Sequence, residues 1–161
     1  MKKTLMVNLS GFKIEGDIID FSLEEFSLLD CNSNEEQNEK CSEIALTNEE
    51  ELYDSGIIFF NLNKIWNPIK REDILNDMMG KIKKDGYIYI WDLNKSFGEV
   101  VDVELKVLCP DGKFKNVNLK TNNIFSSLSI EEIEKSLEKN CIIEETKVWE
   151  DMFYIKAQKN N

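Results

Sequence analysis

Residues 73–94 read DILNDMMGKIKKDGYIYIWDLN. Ile74, Leu75, Met78, Met79 and Ile82 recur at spacings of one, three and four, which puts them on one face of a helix. The Asn67-Pro68 break precedes that helix, and Asp85-Gly86 is expected to end it, with Gly86 as the left-handed cap. Tyr87 to Trp91 then reads as a buried strand whose mouth is Asp92, Leu93 and Asn94. A helix feeding such a strand is half of a parallel α/β unit. In open parallel sheets, ligands sit beyond the carboxyl ends of the strands, so the stretch suggests both a fold and a place to look for function.

Working outward, Gly56-Ile57-Ile58-Phe59-Phe60 is a bulky run that fits a central strand covered on both faces, followed by Asn61-Leu62-Asn63. Upstream, Gly16 to Phe21 is a short apolar run consistent with a buried strand, and Glu24 to Asp30 is a weaker strand candidate. Thr4 to Leu9 reads equally as helix or strand and is left open. Residues 32–43 (NSNEEQNEKCSE) are polar, acidic and aperiodic, and read as a loop. Thr47-Asn48-Glu49-Glu50 is a capping box that opens a turn or two of helix before Tyr53. Downstream, Val101, Val103, Leu105 and Val107 alternate with charged residues, Pro110-Asp111-Gly112 turns the chain, and Phe114 to Lys120 returns, so 100–120 reads as a β-hairpin. Ser129-Ile130-Glu131-Glu132 is a second capping box, starting a helix that turns Ile130, Ile133 and Leu137 inward. Cys141 to Trp149 and Met152 to Gln158 read as a closing hairpin.

At 161 residues the chain fits one domain, 1–161, with a sizeable core. The net charge of −11 argues against a nucleic-acid or anionic-membrane surface, since both need clustered cations. Arg71 is the only arginine, which leaves almost no bidentate fork for phosphate or carboxylate ligands. No histidine is present, so the commonest general base and metal ligand is missing, and no metal site is expected. Cys31, Cys41, Cys109 and Cys141 form no C-x-x-C pair. The basic start MKK is not followed by a long apolar run, so no signal peptide is read, and free thiols in a reducing cytoplasm are expected.

This order of elements resembles the later part of class I S-adenosylmethionine-dependent methyltransferases. In that family a strand with the pattern "fD-x-I" precedes a helix and an "lk-x-G-G-x-l-x-i" segment. Tyr53-Asp54-Ser55-Gly56-Ile57-Ile58 resembles the first, and Ile82-Lys83-Lys84-Asp85-Gly86-Tyr87-Ile88-Tyr89-Ile90 the second. Ser129 to Leu137, Asn140 to Ile143 and Met152 to Lys159 resemble the family's closing helix and strands, so the likeness spans residues 53–159 apart from the 100–120 hairpin, which reads as an insertion. The front half departs from the pattern. The family's first strand ends in Asp-x-Gly-x-Gly, whereas Gly16-Asp17-Ile18-Ile19-Asp20 is followed by Phe21-Ser22-Leu23, with no glycine between residues 17 and 55. Side chains with a Cβ resist the positive torsions and close backbone approach that such a loop needs. Two full crossover helices hardly fit between Ser22 and Tyr53. The resemblance therefore implies an α/β fold with a reduced Rossmann-like methyltransferase-type sheet, mostly parallel, with an antiparallel C-terminal hairpin and an inserted hairpin at 100–120.

The strand ends expected to converge carry Asp20, Phe21 and Ser22, then Asn61 and Asn63, then Asp92 and Asn94, with Trp66 as an aromatic wall at the same mouth. These are the candidate cofactor-binding residues, active or vestigial. The competing reading is that Asp20 and Asp92 cap turns and that the asparagines serve loops. The YIYIW run and the Met78-Met79 pair read as core more readily than as a stacking platform or groove. No catalytic residue emerges: Cys31 has no histidine beside it, and the Glu24-Glu25 and Glu144-Glu145 pairs point apart on extended chain. The loss of the glycine loop favours a degenerate, non-catalytic relative that binds a protein partner or a small ligand without a cofactor. An active S-adenosylmethionine-dependent enzyme with an atypical pocket is the alternative, and homo-oligomerisation stays open.

Overall fold

Ile57 to Phe60 offer no polar face to water, so a strand made from them needs cover on both sides. A computed structural model describes residues 2–23, 38–40 (backbone only) and 52–160 of the chain, and supplies both covers. Its strands are β1 (Lys3–Asn8), β2 (Ile18–Ser22), β3 (Asn38–Lys40), β4 (Tyr53–Phe59), β5 (Ile82–Leu93), β6 (Val101–Leu108), β7 (Phe114–Thr121), β8 (Cys141–Trp149) and β9 (Met152–Lys159). Among the described residues its α-helices are α1 (Pro68–Gly80) and α2 (Ile130–Leu137). A six-stranded sheet runs β3-β2-β4-β5-β9-β8, and a three-stranded sheet runs β1-β6-β7. β3, β2, β4 and β5 are parallel; β9 lies antiparallel to β5, and β8 antiparallel to β9.

The large sheet is a filling between unlike layers. On one face Ile19, Ile58, Ile88, Ile90 and Ile155 meet Leu75, Met78 and Met79 of α1 and Ile130, Ile133 and Leu137 of α2. On the other, Ile18, Ile57, Phe59, Trp91 and Tyr154 meet Leu5, Val7, Val103, Leu105, Val117 and Leu119 of the small sheet. The alternation of side chains along β2, β4 and β5 sends successive residues to the two cores.

Several expectations meet corrections. The open segment near the start is a strand: β1 buries Leu5 and Val7 and pairs in parallel with β6. The 100–120 hairpin forms, as the β6 and β7 strands of the small sheet. Residues 38–40, inside the stretch read as a loop, form β3, because the outer edge of β2 presents unpaired amides and carbonyls that any short extended segment can satisfy. The weaker strand over 24–30 and the helix after Thr47 lie outside the described residues. α1 stops at Gly80, and Ile82 belongs to β5 rather than to the helix face. Asp85 carries the left-handed torsion (φ 66°), not Gly86. Gly86 is required for another reason: a Cβ there would lie 2.6 Å from the Asp54 carbonyl oxygen and 2.6 Å from Ile82 Cγ2. Residues 83–86 bulge out of the β4–β5 ladder, whose register jumps from Tyr53↔Ile82 to Ser55↔Tyr87. Cys109 is disulfide-bonded and Cys141 is a free buried thiol, so the expectation of free thiols throughout fails at Cys109.

The lone arginine serves the interior. Arg71 on α1 is buried, and its fork grips Glu132 on α2, Nε to Oε2 at 2.8 Å and an Nη to Oε1 at 2.9 Å. Nη1 donates to the Ile65 carbonyl, and Nη2, which also holds Glu132, donates to the Ser127 carbonyl, each at 2.7 Å. The second capping box is accordingly half used: Ser129 Oγ accepts from Glu132 N at 3.2 Å, while the Glu132 carboxylate goes to Arg71.

Arg71→Met leaves two carbonyls and a carboxylate without their donors and is expected to cost about 3–5 kcal/mol, with Lys restoring less than half because a point charge cannot span the fork. Urea unfolding of the three proteins measures this. Gly86→Ala is expected to cost about 1–3 kcal/mol through overpacking against fixed backbone, read as a shift of the urea midpoint at unchanged slope.

Candidate functional site

The chain passes from β2 to its outer neighbour β3 and then to β4 on the inner side of β2. Strand order therefore reverses between β2 and β4, the place where an open parallel sheet leaves a ligand crevice beyond its carboxyl ends. Here that end is bridged: Asn61 Nδ2, just past β4, donates to the Ser22 carbonyl at the end of β2 at 3.2 Å. Asp20 and Ser22 are both buried, and Ser22 Oγ donates to Asp20 Oδ1.

One strand over, the path out of β4 is folded around Asp92. Phe60 takes a left-handed torsion (φ 54°), costly for a bulky residue, and is held there by donation from its N to Trp91 O at 2.8 Å. A short 3-10 turn, Leu62–Lys64, follows. Asp92 Oδ2 accepts from Leu62 N at 2.8 Å, and Oδ1 accepts from Asn63 Nδ2 and from Leu93 N, both at 2.8 Å. Asn63 Nδ2 also donates to Phe60 O at 2.6 Å. Asp92 is wholly buried, and desolvation raises its pKa to about 6, outweighing the hydrogen bonds that favour the anion.

The eight candidate residues thus separate. Asp20, Ser22 and Asn61 gather at the switch point, with Asn63 and Asp92 beside them across the 60–63 turn. Asn94 serves the start of α2, its Oδ1 accepting from Ile130 N at 3.0 Å. Phe21 is packed in the helix-side core. Trp66 is 61% exposed.

Sequence reading missed an aromatic cavity of about 520 Å³ on the small-sheet side. Met6, Leu9 and Phe12, from β1 and the loop after it, face Trp91, Tyr154 and Trp149 of the large sheet. Trp91 and Tyr154 are register partners across β5–β9, and their rings lie 4.8 Å apart. Phe12 meets Trp91 edge-on at 5.1 Å, and Trp149 Nε1 donates to Met6 O at 3.2 Å. These rings come from positions far apart in the chain, so no local pattern announces them. A second cleft, about 600 Å³, opens at the amino ends of β4 and β5 among Lys13, Glu15, Asp54, Lys83 and Lys84. There Asp54 accepts from Asp17 N at 2.8 Å and from Lys83 Nζ at 3.0 Å, which together lower its pKa. Among the described residues, no helix is long and apolar enough to cross a membrane.

Four parallel strands with this order reversal, closed by an antiparallel hairpin, define a class I S-adenosylmethionine-dependent methyltransferase-like fold. Solved structures bear this out. A methyltransferase of this kind from Methanosarcina mazei aligns with TM-score 0.58 and 12% identity, over 92% of this chain and 94% of that one. One from Clostridium acetobutylicum aligns with TM-score 0.55 and 11% identity, over 90% and 84%. The glycopeptide N-methyltransferase MtfA, in complex with S-adenosyl-L-homocysteine, aligns with TM-score 0.55 and 8% identity, over 92% and 84%. No protein-family model and no curated protein sequence matches the chain. The expected α/β fold with a mixed, methyltransferase-like sheet agrees with these structures, whereas the expectation that no cofactor binds gains no support from neighbours solved with one.

The buried Asp92 makes a pH prediction. Its native pKa, about 6, lies above the usual 3.8, so the native state takes up a proton first as pH falls. The charge penalty is in force above pH 6 and is relieved between about 6 and 4. Over that window the wild type is expected to gain up to about 3 kcal/mol relative to Asp92→Asn, which does not titrate. Parallel urea titrations at pH 7 and pH 4 measure the difference.

Proposed function

We propose that the chain is a non-catalytic relative of the methyltransferases, using their fold as a binding module for a small ligand or partner. The observation that carries this reading is the state of the crevice at the β2/β4 switch point. Asn61 ties the two strand ends together there, while Asp20 pairs with Ser22 and Asp92 already accepts from Leu62 N, Asn63 Nδ2 and Leu93 N. A donor cofactor would have to displace bonds the protein already makes. The end of β2 adds to this, since Phe21-Ser22-Leu23 stands where the family it resembles places glycines.

The alternative, an active S-adenosylmethionine-dependent methyltransferase with an atypical pocket, is favoured by the neighbours solved with S-adenosyl-L-homocysteine or S-adenosylmethionine. Methyl transfer runs largely on positioning, so the lack of histidine does not oppose it.

Calorimetry and thermal melting with S-adenosylmethionine and S-adenosyl-L-homocysteine decide between them. No heat and no rise in Tm at millimolar ligand are expected. Saturable micromolar binding with a concentration-dependent rise in Tm would overturn the non-catalytic reading, because a ligand selective for the native state must stabilise it.

A further inference from the structure

We infer that the aromatic cavity between the β1–Phe12 segment and the β5–β9–β8 surface binds a flat, uncharged aromatic or heteroaromatic molecule carrying a carbonyl-type acceptor. This deepens the binding-module reading by naming a site and a ligand class away from the β2/β4 crevice.

Two unsatisfied donors carry the inference. Trp91 is 4% exposed and Tyr154 8% exposed, and both line the cavity. Trp149, the third large ring of the wall, has its indole N–H occupied by Met6 O. The Trp91 indole and the Tyr154 hydroxyl have no such partner among the described residues: the contacts of Tyr154 are the Trp91 ring and the Lys147 ammonium, 5.9 Å above its own ring. An indole N–H is a donor only, and a buried donor left unpaired is costly enough that native proteins rarely tolerate one, let alone two in a single cavity. An oxygen acceptor on a ligand is the kind of group that would answer such a donor.

The remaining walls choose the rest of the ligand. Phe12, Trp91, Trp149 and Tyr154 offer faces and edges that suit a planar ring. The volume lies within the range of small-molecule sites. Charge argues for neutrality. Glu145 stands at the rim of a chain of net charge −11, which opposes an anion. Lys147, bound to Glu145 at 3.2 Å, already supplies the cation over Tyr154, which opposes a quaternary ammonium.

The probe is benzamide, titrated into the ¹⁵N-labelled full chain while the indole N–H signals of its three tryptophans are followed; Trp91→Phe assigns the one that matters. Saturable movement of the Trp91 signal in the millimolar range is expected, with Trp66 unmoved. Tyr154→Phe removes an oxygen that bonds to no protein group, so it is expected to melt with the wild type and to bind benzamide roughly three- to tenfold more weakly. Toluene, which has the ring without the acceptor, and benzyltrimethylammonium are expected to bind more weakly than benzamide. An unmoved Trp91 signal, an unweakened Tyr154→Phe variant, or either comparison probe binding as tightly as benzamide would overturn the inference. Binding of S-adenosylmethionine would end the non-catalytic reading and leave this site standing, while failure with benzamide would end this site alone.

Discussion

Everything in this molecule leans on the need of a parallel sheet to be dry on both faces. β4 and its neighbours carry bulky residues in succession, so each strand contributes to two cores at once. One core is closed by α1 and α2. The other is closed by three strands, and the hairpin at 101–121 gains its place there through parallel pairing with β1. Without that small sheet, Ile57, Phe59 and Trp91 would face water, and a buried side chain of this size is worth roughly 1.5–3 kcal/mol. The small sheet is thus half of the sandwich.

That cover has a consequence for the carboxyl ends. With both faces occupied, the polar residues there lie inside the protein and must find partners. They find one another. Asp92 organises the turn out of β4, Asn63 joins Asp92 to Phe60, and Asn61 fastens β4 to β2. Desolvation makes the Asp92 arrangement costly near neutral pH, yet the same carboxylate collects the amides that a tight turn after a left-handed Phe60 would otherwise leave unpaired. The end of the sheet that suits a ligand is organised by its own hydrogen bonds.

The helical layer is held in register by a different device. Arg71 joins α1 to α2 and to two loop carbonyls with one planar group. Because four nitrogen contacts share one side chain, its loss is felt in several places together. On the opposite layer the aromatic cavity has the reverse character: its rings pack on each other, while the Trp91 indole and the Tyr154 hydroxyl have no hydrogen-bond partner among the described residues.

Much of the architecture is legible in local pattern. Helical spacing at 74–79, the bulky runs at 57–60 and 87–91, alternation at 101–107 and the Ser129 cap are short-range properties, so the residues alone determine those elements and the parallel unit they build. The candidate polar residues at the strand ends are legible as well, though not their use: nothing near Asp92 in the sequence says that Leu62 N and Asn63 will bind it. What only the tertiary structure decided depends on pairing across long separations. β1 becomes a strand because β6 offers it an edge, Glu132 leaves its cap because Arg71 arrives from α1, and Phe12, Trp91, Trp149 and Tyr154 form one cavity because ladder register brings them there. Local periodicity reports which face a residue turns to the core; it carries no information about which distant residue will meet it.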